Sequence, residues 1–162
     1  MCGKLVIAPK DSFREFYYFG FLCIYKMNLK HKELLPADFS PASRVWVYQA
    51  SRLLTMSEAL DAEERLNSFA EQWQSHGADV KAAGLLFFGQ FVILIADETY
   101  AGVSGCSTDS SVRFIKSLET AYGITLFDRT SLAFVIKAKI QVLPYAQLQY
   151  ARDNGFITPD TL

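Results

Sequence analysis

Cys106 stands in the stretch Gly102-Val103-Ser104-Gly105-Cys106-Ser107, between an apolar run and a helical pattern. A thiol at the start of a helix gains thiolate character from the free amides there. The same amides attract anions, and Gly102 and Gly105 offer φ > 0 or close approach of a ligand to backbone. Ser107, Thr108 or Asp109 is expected to cap the helix. The plain alternative is a tight loop with a good cap and a small packed thiol. Walker A needs G-x-x-x-x-G-K-[ST], and this loop has no lysine, so ATP hydrolysis is not expected. No G-x-G-x-x-G, H-E-x-x-H or G-x-S-x-G occurs, and two histidines exclude a His-rich metal site. No metal and no cofactor is expected.

The elements that would position this loop read as β-α-β-β-α-β. Arg44–Ala50 is β-branched and aromatic, which predicts the first strand. Thr55-Met56-Ser57-Glu58 is a capping box. Ala62, Leu66, Phe69, Ala70 and Trp73 follow as one apolar stripe, with Gly77 after His76 as the expected stop. Strands are expected near 80–88 and over 91–96, with Gly89-Gln90 as a two-residue hairpin turn. A second helix is expected over 109–122, ended by Gly123. A fourth strand is expected over about 132–142, then a short helix over 145–153 closed by Gly155. This order is the split βαβ pattern of an α+β, ferredoxin-like fold. It predicts an antiparallel sheet in the order 4-1-3-2, with both helices on one face. A doubly wound parallel sheet is the alternative, and the hairpin speaks against it.

That topology gathers distant residues at one sheet edge: Asp97, Glu98, Arg44, His76 and the 102–107 loop. A thiol, an imidazole and a carboxylate are the recurring parts of nucleophilic catalysis. Cys106, His76, Asp97 and Glu98 are therefore the candidate catalytic set. Arg44, Gly102, Ser104, Gly105 and Ser107 are the candidate site for a small anionic ligand. The competing readings are structural. His76 would be a helix C-terminal residue, Asp97 and Glu98 solvated strand-end acids, and Trp46, Tyr48 and Trp73 core aromatics.

Length and charge bound the rest. The chain has 162 residues, of which 51% are hydrophobic and 14% aromatic, enough for a packed domain. Residues 1–32 hold six basic and two acidic residues, a net charge of +4, whereas 33–162 hold ten and fifteen, a net of −5. An acidic body argues against nucleic acid. No apolar run reaches the ~18–20 residues of a membrane span. Three widely spaced cysteines give no disulfide framework, which points to a reducing cytoplasm. Residues 1–32 are expected to be a tail. Their aromatic run Phe16–Tyr25 lacks a signal-peptide cleavage site, and Met27 is a candidate true start. Residues 1–26 should then be dispensable for the domain expected over 33–162.

Leu35-Pro36-Ala37-Asp38, Arg44–Arg52, Ile95-Ala96-Asp97-Glu98, Ala101–Ser107 and Phe127-Asp128-Arg129 carry a resemblance. The chain resembles an uncharacterised family of small bacterial proteins, chiefly from Bacteroidetes, often labelled "ABC transporter ATPase". The likeness covers about residues 33–162. It implies a start near Leu-Pro-Ala-Asp and a further piece beyond Leu162, and it carries no established catalytic residue. The label implies a Walker A that this sequence lacks. The expected function is therefore a ligand- or partner-binding module, with a second copy, through the sheet face the helices leave open, among the expected partners. The alternative is a small enzyme acting through Cys106.

Overall fold

The computed structural model describes residues 34–99, 102–136 and 139–161. The expectations for residues 1–33 lie outside it. The chain is α+β, and the described residues fall into two compact units, 34–127 and 128–161.

In the first unit, β1 (Arg44–Gln49), β4 (Lys81–Phe87) and β5 (Phe91–Asp97) form an antiparallel sheet in the order β1-β5-β4. Directly paired residues share a face. One face therefore carries Trp46, Tyr48, Val92, Leu94, Gly84 and Leu86. Helices α1 (Met56–Gln72) and α2 (Gly105–Tyr122) both pack there, through Ala62, Leu66, Ile115 and Leu118. The apolar stripe of α1 is the one its spacing predicts. Its start is the predicted capping box: the Thr55 hydroxyl accepts from Glu58 N–H, and the Glu58 carboxylate accepts from Thr55 N–H. Arg52 donates two bonds to that carboxylate, at 2.8 and 2.9 Å. It also donates to the Tyr122 carbonyl, so one side chain joins the start of α1 to the end of α2.

The opposite face carries Val45, Val47, Ala83, Leu85, Phe87, Phe91, Ile93 and Ile95. It is not open throughout, as the fold reading expected. Phe87, Ile93 and Ile95 are buried, and Leu34 and Phe39 pack against them. A strand apolar at every position has both faces to cover, and the segment before β1 covers part of the second.

Several boundaries differ from the sequence reading. α1 ends at Gln72 rather than near Gly77, and a small hairpin follows, β2 (Gln74–Ser75) with β3 (Ala78–Asp79). His76 and Gly77 form its corner, at φ 52° and 79°, so His76 is not at a helix terminus. The β4–β5 turn is centred on Phe88-Gly89, both with positive φ, and Gln90 N–H closes it on the Phe87 carbonyl. The sequence placed it one residue later. α2 begins at Gly105, capped by Ser104, four residues before the expected start.

The expected fourth strand is absent from this sheet. Its residues form the hairpin of the second unit, β6 (Ser131–Ile136) paired with β7 (Lys139–Pro144). Residue 136 faces 139 directly, so the two strands satisfy each other's backbone instead of extending the sheet. A 3-10 turn over Tyr145–Gln147 and α3 (Leu148–Asp153) follow, and Gly155 has φ 69°, as the terminal-helix reading expects.

Candidate functional site

β1 and β5 are antiparallel, so Arg44 pairs with Ala96 beside the end of β5. The two acids that follow diverge. Alternation along a strand sends successive side chains to opposite faces, and Asp97 and Glu98 serve two separate networks.

Glu98 lies on the helix side. Its carboxylate pairs with Arg44 at 3.1 Å and accepts from Val103 N–H at 2.9 Å. Arg44 also lies 5.7 Å over the Trp46 ring, which meets Trp73 edge-on at 5.6 Å. The loop before α2 is stitched to the β2–β3 hairpin by Ser75. The Ser75 hydroxyl donates to the Gly102 carbonyl at 2.8 Å and accepts from Ser104 N–H at 3.2 Å. The structure thus brings Arg44, Glu98, Gly102 and Ser104 together, with His76 next in the chain to Ser75. Ser75 had no signal in the sequence.

Asp97 lies on the other face and is 4% exposed. It accepts from the Thr99 hydroxyl and Thr99 N–H, and from Ser40 N–H at 3.1 Å. Lys81 stands 3.5 Å away and also pairs with Asp38 at 3.0 Å. The Thr99 hydroxyl bond and then the Ser40 amide hold the Asp97 carboxyl down at about 2. These bonds favour the ionised carboxylate.

The α2 end of the loop is also internally engaged. The Ser104 hydroxyl accepts from Ser107 N–H, and the Ser107 hydroxyl donates to the Ser104 carbonyl at 2.9 Å. Ser107 is buried, and its carbonyl accepts from the Trp73 indole at 2.9 Å. Gly102 and Gly105 adopt no positive φ, and a Cβ on either would meet nothing within 4 Å. Neither glycine is demanded by backbone strain or by a close neighbour. Cys106 is an exposed free thiol. Among the described residues, no group of three or more His, Cys, Asp or Glu is placed to hold a metal ion. No helix among them is long and apolar enough to cross a membrane.

The carboxylates make an acid-stability prediction. Glu58 is also held at about 2, first by its bond with Arg52 and then by the Thr55 amide. Both pKa values are depressed below the ordinary 3.8 and 4.5. The unfolded chain therefore binds more protons between about pH 5 and 2, and stability falls as pH drops through that window. The urea midpoint should decline steadily from pH 5 to pH 2.5. Asp97→Asn and Glu58→Gln should each start lower at pH 7 and decline less. A double variant with the wild-type slope would show that other groups set the acid limit.

Comparisons of the chain with family models, with curated proteins and with solved structures found no match.

Proposed function

We propose that this chain is a non-catalytic α+β binding module, and that it binds a second copy of itself through the sheet face opposite the helices. The observation that carries this reading is an apolar surface whose cover stops short of β1. Ile93 and Ile95 are 6% and 4% exposed. Their direct partners on the same face, Val47 and Val45, are 62% and 51% exposed. Among the described residues, β1 lies at the edge of the three-stranded sheet. Adjacent exposed apolar side chains on an edge strand mark an interaction surface. A two-fold axis near Val47 would set each patch on its copy, so an uncharged patch is its own complement.

The groups proposed for catalysis favour this reading over an enzyme. Asp97 and Glu98 are turned to opposite faces and each is held by bonds within the fold. The Glu98 carboxylate already occupies the place beside Arg44 and Val103 N–H that a small anion would take.

Sedimentation velocity across a hundredfold range of concentration tests the proposal. The wild-type chain should move toward twice the monomer mass as concentration rises. Val47→Lys should stay monomeric while keeping its melting temperature within a few degrees, because position 47 is exposed. A wild-type chain that is monomeric throughout, or a Val47→Lys chain that associates equally well, refutes the reading.

A further inference from the structure

The segment before β1 has an unusual construction. Residues 34–43 form neither an α-helix nor a strand. Among the described residues their own backbone bonds are local, from Phe39 N–H to Pro36 at 3.5 Å and from Ser43 N–H to Ser40 at 2.9 Å. Among the described residues, two kinds of contact hold the segment on the sheet. Leu34 and Phe39 pack on the floor formed by Phe87, Ile93 and Ile95. At the end of that floor the Ser40 amide donates to Asp97. Lys81 reaches back to the Asp38 carboxylate and carbonyl, and its ammonium lies 4.8 Å over the Phe39 ring.

We infer that Leu34–Ser40 is a releasable strap, latched by Asp97 and Lys81, that limits how much of the sheet's outer face a second copy can reach. The inference rests on the self-association reading above and assigns that face its regulation. With the strap down, the accessible apolar surface is the margin at Val45 and Val47. With it lifted, the floor continues through Ile95 and Ile93 to Phe87.

The balance of contacts favours opening of the strap without loss of the fold. The floor residues sit on β4 and β5, whose opposite face is held by α1 and α2. The strap contributes nothing to that helix-side core. Two of its tethers are partly wet, since Lys81 is 35% and Asp38 74% exposed at the side chain. Exposed ion pairs of this kind hold weakly, and segments with few backbone bonds open locally at low cost. The buried member is Asp97, which accepts from both the strap and Thr99. It is therefore the group through which the latch is set.

Asp97→Asn and Phe39→Ala test the inference from opposite ends, one at the latch and one at the apolar anchor. In both, hydrogen exchange at the Ser40 amide should speed up by tenfold or more. Exchange at Leu94, in the helix-side core, should rise far less than at Ser40, which shows that each variant still folds. A dye that reports exposed apolar surface should brighten, and sedimentation should show at least fivefold tighter self-association. Unchanged exchange at Ser40 in both variants overturns the strap. Faster exchange without tighter association overturns its control of the interface. The wild-type chain then separates the two claims. If it associates in a Val47-dependent way, the face reading stands and the strap's role fails. If it never associates, the face reading itself has failed.

Discussion

Gly84→Val should destabilise the first unit by about 3 kcal/mol or more. Gly84 lies at the middle of β4, where α1 crosses the sheet. A Cβ at this position would stand 2.7 Å from the Leu66 carbonyl oxygen and 2.9 Å from the Leu66 Cβ. Both neighbours belong to or border the helix backbone, so no side-chain rotation relieves the clash. The helix itself must move. α1 also holds Ala62, Leu66 and Ala70 in the core, so a shift at Leu66 opens gaps on either side. Gly84→Ala should show the same defect at about 1–3 kcal/mol. Gly102→Ala is the control, because nothing lies within 4 Å of its Cβ and its φ is not positive. It should stay within about 0.5 kcal/mol of the wild type. Urea unfolding of the three variants decides the matter. A Gly84→Val chain as stable as Gly102→Ala would mean that α1 does not lie directly on β4.

Where the sequence was a good guide, two independent signals agreed. In α1 the capping box and the apolar stripe mark the same helix, and the structure contains it. The runs that became β4 and β5 were read almost to their ends. The failures have particular causes. Residues 132–142 lack Gly, Asn or Pro at the point where the chain reverses, so a hairpin read as one strand. Ser104, Ser107, Thr108 and Asp109 can all cap a helix, and Gly105 reads as a breaker, so the start of α2 was set too late. Ser107 and Ser111 are buried in α2, and each hydroxyl donates to a carbonyl one turn earlier. Apolar periodicity cannot register such a polar strip.

The candidate site was legible as an address more than as chemistry. Topology predicted that Arg44, the end of β5 and the 102–107 loop would be neighbours, and they are bonded through Glu98 and Ser75. Asp97 and Glu98 were grouped in one candidate set, and in the structure they serve separate networks. Consecutive strand residues face opposite ways, so one acid joins the helix side and the other the strap. The strap had a signal too. Phe91–Ala96 is apolar at every position, yet both helices were assigned to one face. Something else had to cover the other, and Leu34 and Phe39 lay just before β1.

Leu94→Ala and Ile93→Ala should separate the two faces of β5, although the residues are adjacent. Leu94 is fully buried among Leu66, Ile115, Leu118 and Trp46, where strand and both helices converge. Elements on every side hold that site open, so the cavity cannot collapse. The loss should be about 3–4 kcal/mol, within the range for Leu→Ala in closed cores. Against a total stability of roughly 5–15 kcal/mol, that is a large share. Ile93 is also buried, but part of its cover is the strap through Leu34 and Phe39. A strap whose backbone bonds among the described residues are local can settle into the space left by Ile93→Ala or lift away from it. The cost there should be about 2 kcal/mol, nearer the lower end of the same range. The two variants should also differ in where amides exchange. Leu94→Ala should raise exchange across α1, α2 and the sheet together, because its loss falls on global unfolding. Ile93→Ala should raise it first at Ser40 and Ser43. Equal losses with identical exchange patterns would mean that the strap is as integral to the fold as the helices, and that it does not open on its own.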